Sequence, residues 1–196
     1  MIWLLLSIAL WGVVHSLLAG TGTKNYFRRV FGDGFMRLYR LLYNLFAAAS
    51  FLPVLYLMVT PPDRLLYQVP APFNILMRLG QGVSIVLLLV SIFQTDLLSF
   101  AGLRQLIDQE QTGSLMTGGL YRYVRHPLYT FSLLFLWLSP SMSLNTFLVY
   151  SALILYVLIG IIFEERKLLR EFGKQYAEYR SVTPMLIPGR KIGWNK

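Results

Sequence analysis

The sequence contains no cysteine, few charged residues and only two histidines. Without cysteine, the chain cannot form disulfides, zinc–thiolate sites or a cysteine nucleophile, and it carries no trace of the redox state of its compartment. Charged residues make up 14% of the 196 residues and hydrophobic residues 56%, whereas soluble domains are about one quarter charged. The composition therefore predicts an integral membrane protein.

Three further features are missing: an internal repeat, a low-complexity tract and the Gly-rich strand-to-helix fingerprint of soluble nucleotide-binding folds. The formal net charge of +9 could indicate nucleic-acid binding. The cations flank apolar segments, however, and do not form a basic stripe interleaved with exposed aromatics. The charge therefore indicates membrane topology and anionic lipid, and we expect no nucleic-acid partner.

Apolar runs predict three spans in the first half of the chain, since about 20 apolar residues in a helix cross the hydrocarbon layer. They lie at Ile2–Ala19, at about Leu38–Val59 with a kink at Pro53, and at about Phe73–Leu98. The first run has no basic residue before it and no small-residue cleavage site, which indicates a retained span and not a signal peptide.

The second half of the chain predicts a helical hairpin followed by an amphipathic helix. Leu128–Ser139 is too short for a full crossing, and a turn at Pro140–Ser143 leads into a second apolar run at about Leu144–Phe163. Apolar residues then recur at helical spacing opposite charged positions, which is typical of an interfacial helix: Leu168, Leu169, Phe172, Tyr176 and Tyr179. We expect an all-α bundle of five membrane segments and one domain over residues 1–196, with a three-helix part (1–98) and a cofactor-binding part (99–196).

Basic residues set the predicted orientation. Five of them crowd the connection after the first span, and the positive-inside rule places that connection in the cytoplasm: Lys24, Arg28, Arg29, Arg37 and Arg40. We therefore expect the N-terminus outside and the C-terminus inside, with the 99–126 connection, the closing cations Arg190, Lys191 and Lys196, and the amphipathic helix on the cytoplasmic side.

The unusual polar residues fall at the inner ends of the predicted spans, where ionisable groups are costly and often functional: His15, Asn44, Gln94, Asp96, Arg125, His126, Glu164 and Glu165. This pattern predicts a polar pocket at the cytoplasmic interface, open to a soluble cofactor and to a lipid-like substrate. Neighbouring helical residues point about 100° apart, so at least one glutamate faces the bundle, and we favour Glu164. Arg122 and Arg125 could instead be topology anchors, and His15 a helix–helix hydrogen-bond partner.

Several motifs together resemble one known superfamily. They are Gly119-x-Tyr121-x-x-x-Arg125-His126-Pro127-x-Tyr129, the hairpin, Glu164-Glu165, Phe172-Gly173-x-x-Tyr176-x-x-Tyr179 and Pro184-x-x-x-Pro188. Over about residues 113 to 190, the chain resembles the isoprenylcysteine carboxyl methyltransferase and phospholipid methyltransferase superfamily. Its first half, with His15–Ala19 and Tyr39–Asn44, looks more like bacterial relatives that include methanethiol S-methyltransferases. One departure is Leu120, where many members carry proline.

The resemblance implies an enzyme of a prokaryotic inner membrane that depends on S-adenosylmethionine and releases S-adenosylhomocysteine. It implies a cofactor held by Tyr121, Arg125, His126, Pro127 and Tyr129 and by the two glutamates, Glu164 and Glu165, with no metal. Arg125, Glu164 and His15 are the candidate catalytic residues.

The acceptor stays open at this point. An acceptor carboxylate needs no base and suits Arg125 as a bidentate clamp, whereas a thiol or the amine of an aminolipid must lose a proton, for which His15 or a glutamate could serve. The competing interpretation is a non-catalytic membrane scaffold or small-solute carrier. A carrier would place polar groups near the bilayer midplane, so their position at one interface favours the enzyme. We expect membrane lipids as partners and no obligate protein partner.

Overall fold

The computed structural model describes residues 1–95 and 114–189, and these residues are mostly helical, with connecting loops and one two-stranded sheet. The helices are α1 (Ile2–Ala19), α2 (Thr21–Val59), α3 (Phe73–Gln94), a 3₁₀ helix (Gly119–Arg122), α4 (Pro127–Trp137) and α5 (Leu144–Val182), and the strands are β1 (Leu65–Gln68) and β2 (Ser141–Ser143). In this described part, α1, α2, α3 and α5 are long and apolar enough to cross a membrane, while α4 is apolar but shorter. The predicted all-α membrane fold is confirmed, and the count of five membrane segments stays a prediction.

The described residues form two compact units. One contains Met1–Tyr67 and Ser141–Ala152, and the other contains Gln68–Thr95, residues 114–140 and residues 153–189. Each unit combines separated stretches of the chain, and neither coincides with the first 98 residues or with the rest. The expectation of one domain over residues 1–196 stays a prediction.

In the first unit, α1 packs along α2. The indole of Trp11 donates to the carbonyl of Ala47 (3.1 Å), and the Tyr39 hydroxyl donates to the carbonyl of Leu18 (2.6 Å). Helix α2 begins well before the predicted start of the span, and its backbone leaves helical geometry at Gly32, where φ is 77° and ψ is 177°. Glycine adopts this positive φ without the steric cost of a Cβ. The kink at Pro53 stays a prediction.

A loop of the first unit caps the start of α5. One carboxylate oxygen of Asp63 accepts from the backbone N–H of Arg64 (2.8 Å) and of Asn145 (3.0 Å), and the N–H of Leu144 donates to the carbonyl of Arg64 (2.8 Å). The hydrogen bond from the Ser143 hydroxyl, followed by that from Asn145, lowers the pKa of Asp63. Strand β2 pairs with β1 where the sequence predicts only a turn, so the turn between the hairpin helices is tied into this loop.

In the second unit, α3 approaches the end of α4 through small residues, as is common where membrane helices pack closely. A Cβ added to Gly80 would lie 2.7 Å from a methyl carbon of Leu138. Nearby, Gln81 donates from its side chain to the carbonyl of Phe135 (3.1 Å), and Ser84 is fully buried.

Helix α5 does not end where its apolar run ends. The apolar run stops at Phe163, but the helix continues to Val182 with a break at Gly173, where φ is 52° and ψ is −122°. The predicted amphipathic stretch is therefore continuous with the apolar run as far as Gly173 and forms a second helical segment beyond it. The third predicted span is shorter than expected, since α3 ends at Gln94. Residues 96–98, the first part (99–113) of the predicted 99–126 connection and the closing cations from residue 190 onward lie outside the described residues.

Candidate active site

The Arg-His-Pro motif lies at the start of α4, with Pro127 as the first helical residue, as predicted. Arg125 and His126 precede it and are 6% and 4% exposed. Residues 183–186, which we term the C-terminal strap, run beside them. Strap carbonyls 184, 185 and 186 accept from the N–H of Arg125 (2.9 Å), the N–H of His126 (3.2 Å) and the hydroxyl of Thr130 (2.8 Å). The strap therefore fixes the backbone of the motif.

Arg125 is tied to Glu165 and to backbone carbonyls. Its Nε and Nη2 donate to the two carboxylate oxygens of Glu165 at 2.8 and 2.9 Å, which is the bidentate geometry of a strong arginine–carboxylate pair. Its Nη1 donates to the carbonyls of Arg180 (3.3 Å) and Thr183. Because these contacts engage all three guanidinium nitrogens of Arg125, they suit a structural anchor better than a clamp for an acceptor carboxylate.

Glu165 collects donors from several elements. The hydroxyl of Tyr176 (2.6 Å) and Nε2 of His126 (2.8 Å) reach the same carboxylate oxygen as Nε of Arg125, and Nε of Arg180 lies 3.4 Å from the other oxygen. Glu165 lies two residues beyond Phe163, the end of the apolar run of α5. Burial by itself raises the pKa of Glu165, but hydrogen bonds from Arg125, Tyr176 and His126 outweigh burial and hold the pKa at about 2. Glu165 is therefore an ionised, buried hub.

The break at Gly173 makes the contact between Glu165 and Tyr176 possible. These residues are 11 positions apart, and a straight helix would separate them by about 16 Å along its axis. Their hydrogen bond requires the chain to turn back, and the turn occurs at the positive φ of Gly173. The same reversal brings Arg180 to Glu165 and the strap to Arg125.

Glu164 has a different environment from its neighbour. Its side chain is 40% exposed, and one of its oxygens lies 3.9 Å from Nδ1 of His126. It also hydrogen-bonds the hydroxyl of Tyr129. Burial, and then the negative charge of Glu164, raise the pKa of Tyr121 to about 12, so this tyrosine stays neutral at physiological pH. Two tyrosines and a histidine thus surround a carboxylate that is accessible to a ligand.

The turn before the motif is closely packed around Gly119 and Leu120. Gly119 has a φ of 57°, and a Cβ there would lie 2.5 Å from the side-chain amide of Gln94. That amide oxygen accepts from the N–H of Leu120 (2.8 Å), and the Tyr179 hydroxyl donates to the carbonyl of Tyr121. These contacts fix the position of Tyr121.

His15 belongs to the first unit and contacts other aromatic residues there. Its ring stacks on Trp11 (centroids 4.8 Å apart, planes 16° apart), and its Nε2 lies 2.7 Å from the hydroxyl of Tyr43. These contacts agree with the helix-packing interpretation of His15, and its catalytic role stays a prediction. Asp96 lies outside the described residues.

The second unit brings together seven residues that the sequence assigned to the site: Tyr121, Arg125, His126, Pro127, Tyr129, Glu164 and Glu165. The expected orientation of the glutamates is wrong, because Glu165 faces the interior and Glu164 is partly exposed. Residue spacing could not reveal which glutamate meets Arg125. Tyr176 and Arg180 were not predicted as site residues, although Tyr176 belongs to the Phe-Gly-x-x-Tyr motif whose glycine turns the chain.

Comparison with known proteins gives matches along nearly the whole chain. The family described as "NnrU protein" matches residues 3–189. The methanethiol S-methyltransferase of Pseudomonas deceptionensis is 31% identical over 193 residues, which cover 93% of this chain and 71% of that protein. Methanethiol S-methyltransferase 1 of Bradyrhizobium diazoefficiens is 30% identical over 193 residues, which cover 95% of this chain and 66% of that protein. Methanethiol S-methyltransferase 2 of the same bacterium is 44% identical over 75 residues, 38% of this chain. No solved structure matches the chain.

Proposed function

Because the chain belongs to the NnrU protein family and, with its methanethiol S-methyltransferase relatives, to the isoprenylcysteine carboxyl methyltransferase superfamily, we propose that it is a membrane methyltransferase that uses S-adenosylmethionine to methylate a small thiol. Similarity to named thiol methyltransferases over 93% and 95% of the chain carries this proposal. It favours a small thiol over the prenylcysteine and aminolipid acceptors that the superfamily also suggests.

The residues around Glu164 fit the proposed cofactor chemically. A partly exposed carboxylate can accept from ribose hydroxyls or from an ammonium group, and tyrosine faces can neighbour a cation. Tyr121, His126 and Tyr129, at and before the start of α4, and Glu164 on α5 provide these groups. When bound, S-adenosylmethionine supplies a methyl group already activated by its sulfonium.

The chain's own task is then to hold and orient both reactants and to exclude water. Positioning can account for much of the rate enhancement when the transferred group is already activated. The buried hub of Arg125 and Glu165 suits this task, because it ties the motif to the last part of α5 and to the strap. We assign Arg125 and Glu165 to positioning. We assign Glu164 and the residues around it to ligand binding at the cytoplasmic face.

The test is transfer of labelled methyl from S-adenosylmethionine by purified protein in detergent or nanodiscs. Methanethiol, a prenylcysteine and an aminolipid serve as acceptors, and S-adenosylhomocysteine binding is measured separately by calorimetry. We expect binding together with transfer to methanethiol. Binding with transfer only to the prenylcysteine or the aminolipid would overturn the thiol assignment and keep the enzyme class.

A well-folded protein that neither binds S-adenosylhomocysteine nor transfers a methyl group would contradict the proposal as a whole. The matched variant is Glu164→Gln, which keeps the side-chain shape and removes the charge. We expect it to retain its melting temperature and to lose affinity for the product. This comparison separates a ligand-binding defect from unfolding.

A further inference from the structure

A thiol acceptor requires a base near the reacting atoms. The thiolate is the nucleophile, and an ordinary thiol with a pKa of about 8.5 is largely protonated at neutral pH. The second unit offers one ring nitrogen that is oriented for this role, Nδ1 of His126.

Glu165 selects the tautomer of His126. Its carboxylate oxygen lies 2.8 Å from Nε2 of His126 and, as an ionised group, can only accept. Nε2 therefore carries the proton of the neutral ring, and Nδ1 keeps its lone pair. Arg125 and Tyr176 hold the same carboxylate in place at 2.8 and 2.6 Å, so the ring orientation is fixed from behind. Carboxylates orient catalytic and metal-binding histidines in the same way.

The Nδ1 edge of the His126 ring points to the partly exposed carboxylate of Glu164. Nδ1 lies 3.9 Å from an oxygen of Glu164, which is beyond hydrogen-bond distance. The Tyr129 ring lies 5.6 Å from the histidine ring, centroid to centroid. Charged and ionisable groups thus lie around His126: Glu165 on the Nε2 side with its partners Arg125, Tyr176 and Arg180, Glu164 near Nδ1, and Tyr129 beside the ring.

We propose that Nδ1 of His126 is the base that accepts the thiol proton and that Glu165 is its positioning residue; this inference rests on the proposed thiol methyltransferase function. The S–H bond breaks and its proton moves to Nδ1. The freed sulfur electron pair forms the new S–C bond to the methyl carbon, while the bond from that carbon to the donor sulfur breaks and its electrons stay on the donor sulfur. His126 leaves this step as an imidazolium between two carboxylates.

The charges around His126 suit this step. The donor changes from cationic to neutral as the ring changes from neutral to cationic, so the total charge near Glu164 and Glu165 stays constant during transfer. Two nearby carboxylates stabilise the imidazolium. The proton can then pass to Glu164, whose side chain is 40% exposed, and from there to water. Glu164 thus acts both in ligand binding and in proton release.

The test compares methanethiol with methaneselenol, an acceptor of nearly the same size that is far more acidic and already ionised at neutral pH. Because the chain has two histidines, His126→Gln and His15→Gln form a matched pair. General-base catalysis contributes at least about 100-fold, so His126→Gln should lower the methanethiol rate by about that factor. It should lower the methaneselenol rate less than about tenfold. The methaneselenol-to-methanethiol rate ratio should not rise in His15→Gln.

A second readout does not depend on turnover. Nitrogen-15 NMR of histidine-labelled protein, assigned with the same two variants, should show His126 in the Nε2–H tautomer, and Glu165→Ala, which removes the acceptor, should abolish that preference. A wild-type Nδ1–H tautomer would overturn the proposal even if a variant fails to fold.

The remaining outcomes are distinct. Equal losses for both acceptors in His126→Gln would reduce the residue to a cofactor contact, and a selective thiol defect in His15→Gln alone would assign the base to His15. Either result leaves the proposed function intact. Wild-type protein that transfers to neither acceptor and binds no S-adenosylhomocysteine contradicts the function itself.

Discussion

The two adjacent glutamates should give opposite phenotypes when each is changed to glutamine. Glu165 is 7% exposed and pairs with the buried Arg125. Glutamine would remove the charge and turn an amide N–H₂ toward a guanidinium donor. Leaving a buried charge without its partner costs about 3–5 kcal/mol. At about 2–4 °C per kcal/mol for a chain of this size, the melting temperature of Glu165→Gln should fall by roughly 6 °C or more.

Glu164→Gln should instead weaken binding. Its side chain is 40% exposed, and exposed charge pairs contribute only about 0–1 kcal/mol to stability. Hydrogen bonds to a charged acceptor contribute about 1.5–3 kcal/mol in binding. We therefore expect the Kd for S-adenosylhomocysteine to rise about tenfold or more at a nearly unchanged melting temperature.

The pH dependence of the melting temperature provides a second test of the role of Glu165. Its pKa of about 2 in the folded protein lies below the ordinary value of 4.5. The ionised carboxylate therefore contributes fully above the unfolded-state pKa, and the contribution is lost as pH falls through the folded-state pKa. The gap in melting temperature between wild type and Glu165→Gln should be constant near neutral pH and should shrink below about pH 5.

Differential scanning fluorimetry in detergent and calorimetry with S-adenosylhomocysteine measure the two effects on the same preparations. An unchanged melting temperature in Glu165→Gln would refute the buried-hub argument. A folded Glu164→Gln protein with wild-type affinity would show that this carboxylate only faces solvent.

Three further predictions concern orientation, backbone strain and ligand contact. Because the chain has no native cysteine, single cysteines at Ser114 and Thr60 should label from opposite sides of the membrane, and labelling from one side would reject the topology. Gly173→Ala meets no atom within 4 Å of the new Cβ, yet its positive φ should cost about 1–3 kcal/mol; unchanged thermal stability would contradict the turn-back role. Tyr129→Phe removes the hydroxyl that bonds Glu164 and should reduce the thermal shift caused by S-adenosylhomocysteine, measured at equal ligand concentration; an unaltered shift would exclude that hydroxyl from binding.

The apolar spans were predictable because hydrophobic run length has a direct physical cause. The first span was predicted with the bounds Ile2–Ala19 that α1 has in the structure, since a membrane helix must be apolar over the thickness of the hydrocarbon layer. Pro127 was correctly placed at the start of α4, because proline fits the first helical position, where no N–H is needed.

The misjudged features depend on contacts between distant residues. Strand β2 has three residues and carries no period that distinguishes it from a turn. Glu164 and Glu165 are equivalent by spacing, and the choice between them is made by Arg125, 40 positions away, and by the reversal at Gly173. A glycine between a helix and an apparent second helix predicts a break, but its direction depends on backbone angles that sequence does not encode locally.

The C-terminal strap also has a consequence for the order of biosynthesis. The Arg125 side chain bonds the carboxylate of Glu165 and the backbone carbonyls of Arg180 and Thr183. These residues lie 40, 55 and 58 positions later in the chain. While the ribosome is still translating this region, the nascent motif has its cation but not yet the carboxylate and carbonyls that neutralise and hold it. The buried cluster around Arg125 can therefore close only after the membrane helices before it have been made, and translation itself delays this packing until nearly the whole described chain has emerged.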